Sequence, residues 1–106
     1  MPRSDNDQPP ATYVLDGQWP DARLREGAPL SAHYAQRLAR NLAAAIDRSG
    51  LSVRALGLQA GISHSCISRM LHGWTLPDIG TLARIEAALD TRVWPGPMAE
   101  LGSSDN

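Results

Sequence analysis

Three side chains able to ligate a metal stand close together in this chain: His64, Cys66 and His72. A closed zinc site takes four ligands. Cys66 is two residues from His64, which on a helix puts the pair on different faces. The spacing therefore predicts a buried, unligated Cys66, and no metal. Ser, His and Asp all occur, so a hydrolytic triad can be written on paper. Nothing resembling a nucleophile elbow or a pocket-forming sheet accompanies them, and no phosphate loop is present. The expectation is a protein that is not an enzyme and carries no cofactor.

What remains is the chemistry of arginine. All 10 basic residues are Arg, set against 11 Asp and Glu, for a formal net charge of −1. The balance is uneven along the chain. Residues 1–30 hold three Arg against five acids, residues 31–96 hold seven Arg against four, and residues 97–106 hold two acids and no base. A mildly basic centre between acidic ends can still face a polyanion, because the local field matters more than the total.

The elements that would position these groups can be read from composition and period. The length of 106 residues allows one domain of ordinary size. The longest apolar run, Leu42 to Ile46, is far too short to span a membrane. The start, Met1-Pro2-Arg3-Ser4-Asp5, lacks the apolar stretch of a signal peptide. A single Cys cannot form an internal bridge and fits a reducing cytoplasm, so a cytoplasmic location is expected.

Residues 1–30 are expected to form a flexible N-terminal arm or linker. Residues 1–11 are too polar to order themselves. Thr12-Tyr13-Val14-Leu15 favours a strand, Asp16-Gly17 a turn, and Pro20 limits any second strand. An isolated hairpin is marginal, so this piece either packs on the domain or meets a partner.

Residues 31–96 read as a helical domain. Ser31 is expected to cap a first helix, with Tyr34, Leu38, Leu42, Ala45 and Ile46 as its apolar stripe and Gly50 as its left-handed end. Ser52 caps a second helix whose inner face is Val53, Leu56 and Ala60. Gly61 closes it, and Ser63 caps a third with Ile67, Met70 and Leu71 inward and Gly73 at its end. Asp78 caps a fourth with Ile79, Leu82, Ile85 and Leu89 as stripe. Gly57 sits where two helices must approach closely, and Ile62 can plug between them. Trp74 is placed at the edge of the core, and Trp94 is expected to close its bottom. Residues 97–106 are expected to be a disordered C-terminal tail.

The run from Leu51 to Gly73 resembles the helix-turn-helix of the XRE family, the phage repressor and Cro-like regulators. Leu76-Pro77-Asp78 and the stretch to Leu89 resemble that family's fourth helix. The positions that carry the likeness are Leu56, Gly61-Ile62-Ser63, Ile67, Gly73 and Pro77. The resemblance covers roughly residues 34–94. It implies an all-α fold, a compact four- to five-helix lambda-repressor-like DNA-binding domain with flexible N- and C-terminal tails.

The resemblance also implies a site. The third helix of such proteins enters the major groove, and the matching positions here are His64, Ser65, Ser68 and Arg69. Arg69 can fork onto the O6 and N7 of a guanine. Helix N-termini suit phosphate oxygens, and Ser52, Arg54, Ser63, His72, Trp74 and Thr75 are the expected phosphate contacts. Two departures stand out. The family often has Gln in the first turn of the second helix, where this chain has Val53, and Trp74-Thr75 follow the third helix where basic residues are common. A thin phosphate clamp predicts reliance on a dimer or an arm.

The implied function is a sequence-specific double-stranded DNA-binding transcriptional regulator, a repressor, acting as a homodimer on DNA with no membrane partner. The segment around Leu89, Val93 and Trp94 is the expected dimer interface. The alternative is an antitoxin or other protein-interaction module that uses the helix-turn-helix for autoregulation. In that reading residues 12–30, through Tyr13, Val14, Leu15 and Trp19, would engage a protein partner.

Overall fold

Short helices form here because each has an explicit start and stop. In the computed structural model, residues 7–96 are described. They contain four helices: α1 (Leu30–Ser49), α2 (Val53–Ala60), α3 (His64–Leu71) and α4 (Ile79–Leu89). The Ser52, Ser63 and Asp78 side chains accept from the backbone N–H groups of Ala55, Cys66 and Thr81, satisfying donors that have no partner inside the helix. Gly50 and Gly61 end α1 and α2 in the left-handed conformation. No fifth helix follows among the described residues; the chain from Thr91 to Gly96 has no regular secondary structure. No described helix is long and apolar enough to cross a membrane.

The start of α1 differs from expectation. Pro29 occupies the cap position and makes no side-chain cap, while Ser31 lies inside the first turn. The Ser31 hydroxyl instead donates to the Asp7 carboxylate. A proline with its φ already near the helical value can open a helix without help from Ser31.

The core is one cluster of Leu38, Leu42, Ala45, Leu56, Ile67, Met70, Ile85 and Val93, drawn from all four helices and the segment after them. Val93 is fully buried although it lies outside any helix. Its N–H donates to Glu86 Oε2 and its carbonyl accepts from Asn41 Nδ2, so the segment is fastened on both sides. This removes Val93 from any interface with a partner. Trp94 does not close the core; it is exposed, with its ring tilted against Tyr34 at 5.2 Å between centroids. Ile79, expected on the inner stripe of α4, is 84% exposed. It is the first residue of α4, and the helix contributes only Ile85 to the fully buried set.

Residues 7–29 depart most from expectation. The flexible arm or linker expected over residues 1–30 is, in its described part, an ordered hairpin. A 3₁₀ turn (Pro10–Tyr13) leads into β1 (Val14–Asp16), which pairs antiparallel with β2 (Arg23–Leu24) in the register Val14↔Leu24 and Asp16↔Arg23. The second strand starts after Pro20, as the missing N–H there demands, so the connection is longer than a two-residue turn. The hairpin is tied down at both ends. Gln36 Nε2 on α1 donates to the carbonyl of Ala22, which is buried, and Arg40 pairs with Asp21 at 3.2 Å. Ala11 N–H donates to the Gly73 carbonyl at 2.7 Å, just past the end of α3. The tail expected over residues 97–106 lies outside the described residues.

Candidate nucleic-acid interface

α2, the turn after it and α3 form one tightly joined unit. The two helices approach so closely at Gly57 that a Cβ there would lie 2.6 Å from the Ile62 carbonyl oxygen. No side chain fits that gap, which explains the glycine. Gly61 has a φ of 73° and bends the chain sharply, and Ile62 N–H donates back to the Gly57 carbonyl. Ile62 is half-buried and packs on the core. Local residues therefore hold α3 against α2 at a fixed angle.

α3 has one buried and one open face. Ile67 and Met70 point into the core; His64, Ser65 and Arg69 are exposed, and Ser68 is half-buried at the boundary. Arg69 has no ion-pair partner among the described residues, and neither has Arg54, which is exposed at the start of α2. By contrast Arg23 and Arg40 face Asp16 and Asp21. Both guanidiniums of the helix-turn-helix are thus open to an anion, as are those of Arg48, Arg84 and Arg92 elsewhere among the described residues. Val53 is half-buried against the core and offers nothing outward, so Arg54 is the only cation in that turn.

The expected phosphate contacts fall into two groups. Ser52 and Ser63 are exposed caps at the N-termini of α2 and α3. Each oxygen accepts from the backbone, which leaves its O–H free to donate outward. The positive ends of two helix dipoles lie at the same places. His72, Trp74 and Thr75 form the second group, at the other end of α3. His72 Nδ1 lies 2.7 Å from the Ser68 carbonyl oxygen, which only accepts, so Nδ1 carries the proton and Nε2 is the outward atom. The His72 ring stacks on Trp74 at 4.6 Å and 22°. Trp74 was expected at the core edge but is 56% exposed. Its packing partner is His72, outside the core. Thr75 is half-buried.

Cys66 is half-buried, packed on the core beside Ile67, where full burial was expected. The Nδ1 of His72 is engaged with the Ser68 carbonyl. Among the described residues no group of three or more His, Cys, Asp or Glu could hold a metal ion.

Trp19, which the sequence places in the apolar set that would meet a partner, makes a contact that sequence reasoning missed. Its indole lies over Gly73, so that a Cβ there would come within 2.5 Å of Trp19 Cε2. Its N–H is buried and finds no acceptor among the described residues. The only available signal was Gly73, a glycine at the end of α3, and that gave no hint of a partner 54 positions earlier. No family model matches this chain, and neither a curated protein nor a solved structure matches it.

Proposed function

We propose that the protein is a sequence-specific double-stranded DNA-binding regulator with a lambda-repressor-like domain of the XRE type. It reads the major groove with α3 and represses by occupying a promoter. One observation carries this reading. The α2–turn–α3 unit presents a polar face, His64, Ser65 and Arg69, with the unpaired Arg69 guanidinium in the last turn of α3, and the same unit carries two exposed helix N-termini at Ser52 and Ser63. Arg69 supplies a two-pronged donor for a guanine edge, and His64 and Ser65 supply shorter contacts nearby. Arg54, Ser52, Ser63 and the His72–Trp74 pair supply phosphate and sugar contacts.

A single α3 with so few cations gives modest affinity, so we propose a homodimer on DNA. With Val93 buried, Trp94 together with Ile79 and Leu76, which adjoin around Leu82, offers one exposed apolar surface to a second copy; Leu30 and Leu58 are also exposed. The antitoxin reading loses ground, because Trp19 is engaged on the protein's own Gly73 and Tyr13 and Val14 are half-buried. Only Leu15 of that apolar set is exposed.

The test is a selection of binding sites from random duplex DNA with the purified protein. The expected result is an inverted pair of half-sites about one helical turn, roughly 34 Å, apart. Enrichment of no sequence, together with equal binding of all duplexes, would refute base reading.

A further inference from the structure

The hairpin over residues 7–29 has no part in the function proposed above, yet it grips the far end of the reading helix. α3 has only eight residues, too few to hold its own last turn in water. Ile67, Met70 and, in part, Leu71 fasten α3 to the core, but the residues that follow, His72 to Trp74, lie beyond them. Their turn is closed by Trp74 N–H to the Arg69 carbonyl at 2.9 Å and by Gly73 N–H to the Met70 carbonyl at 3.2 Å. The Gly73 carbonyl then accepts from Ala11 of the hairpin, and Trp19 covers the glycine face. At its other side the hairpin is anchored on the 20-residue helix α1 by Gln36, Arg40 and Ser31. A continuous set of contacts runs from α1 through the hairpin to Gly73.

We propose that the hairpin is a positioning element for the reading helix, and that Trp19 seated on Gly73 fixes the last turn of α3. The groups it places are the Arg69 backbone and the stacked His72–Trp74 pair, which together form the C-terminal half of the DNA-facing surface. Trp19 touches no DNA in this arrangement; it acts through Gly73. The inference rests on the DNA-reading proposal and deepens it. The glycine is required twice over, once for its φ of 73° and once for the indole against it.

The experiment compares wild type, Trp19→Ala and Trp19→Phe, each at a temperature well below its own melting midpoint. Three readouts are taken: affinity for the selected duplex, its salt dependence, and amide hydrogen exchange. Trp19→Ala is expected to bind about tenfold more weakly, in the range open to residues that act on a site without touching the ligand. Its Gly73 and Trp74 amides should exchange faster while those of α2 keep their protection. Arg69→Ala should cost less affinity in the Trp19→Ala background than in wild type, because the guanidinium is already misplaced. Trp19→Phe keeps a ring over Gly73 and should recover most of the loss.

Gln36→Ala is the second variant, and it decides the matter where Trp19→Ala does not fold. It loosens the hairpin from α1 without touching α3, and a loss of a few-fold in the same direction is expected. Folded variants that bind the duplex with wild-type affinity and salt dependence overturn the positioning role while leaving DNA reading intact. Wild-type protein that binds no duplex overturns both.

Discussion

The helix-turn-helix and the N-terminal hairpin lie against one another, but they are held by opposite kinds of interaction. In α2 and α3 the decisive contacts are local. Ser52 caps to Ala55, Ser63 caps to Cys66, and Ile62 N–H returns to Gly57. In the hairpin the two strands share only two paired positions, too little for independent stability. What orders it is distant in sequence: Gln36, Arg40 and Gly73. A locally specified unit can be recognised from its own residues. A segment ordered by remote partners leaves little trace in its own composition, and it depends on the unit that it braces.

That dependence predicts the largest effect. Ile67 is fully buried at the centre of the core cluster, between the helices that the hairpin leans on. Ile67→Ala should lose about 2–5 kcal/mol of folding stability. Both regions should melt together, since the hairpin has no support once α3 moves. The check is a thermal melt followed by far-UV circular dichroism, with amide exchange of Ala11 as the hairpin's reporter. A variant in which the Ala11 amide stays protected while α3 is lost would break the comparison.

Two glycines with the same backbone sharpen it. Gly61 and Gly73 both have a φ of 73°, but open space surrounds the first and Trp19 covers the second. Gly61→Ala should cost about 1 kcal/mol, the price of a left-handed alanine. Gly73→Ala adds an overpacking cost, for a total of about 2–4 kcal/mol. In a Trp19→Ala background the Gly73→Ala cost should fall toward that of Gly61→Ala, whose own cost should not change. Denaturant melts of the six proteins measure this, and equal costs in both backgrounds would deny the contact its role.

These glycines also mark what could be read in advance. Gly57, Gly61 and the three side-chain caps were legible because each answers a local geometric demand, a close approach, a positive φ or an unpaired N–H. The exposed set His64, Ser65 and Arg69 was legible because the helical period opposes it to Ile67 and Met70. Ile79 and Trp94 were not, because periodicity assigns a face but does not say what covers it. Nothing among the described residues covers Ile79 at the start of α4. Trp74 likewise follows its own local partner: the His72 ring, held by Ser68, gives it a stacking surface outside the core. The hairpin was only half legible. Its strand and turn residues were visible, but the tie from Trp19 to Gly73 was not.

Within the proposed interface the same local logic separates two arginines. Arg69→Ala should weaken binding to the selected duplex by about 1–3 kcal/mol and relax preference at one base pair per half-site. Arg54, at the start of α2, reaches only backbone; its loss should weaken cognate and random DNA alike and lower the salt slope by about one per protomer. Both side chains are exposed and unpaired, so neither change should move the melting temperature appreciably. Titrations against cognate and scrambled duplex at several salt concentrations distinguish the two patterns. If Arg69→Ala leaves both affinity and preference unchanged, α3 does not read bases in this manner.

The smallest effect belongs to a local contact that can be switched off by acid. Asp78 opens α4, and the Thr81 backbone N–H, 2.7 Å from its carboxylate, holds its pKa below the ordinary value of 3.8. The Thr81 side chain and, more weakly, Arg84 act in the same direction. A carboxylate with a depressed folded pKa stabilises the protein above its unfolded pKa, and that contribution disappears as the pH falls through the folded value. Asp78→Asn keeps an oxygen that can cap Thr81 but has no charge to lose. Wild type should therefore melt slightly higher than Asp78→Asn near neutral pH, and the two curves should converge as the pH drops below about 4. Because Asp78 is fully open to solvent, the gap should be small and should shrink with added salt. A gap that persists unchanged into acid would mean that the difference between Asp78 and Asn does not come from the carboxylate charge.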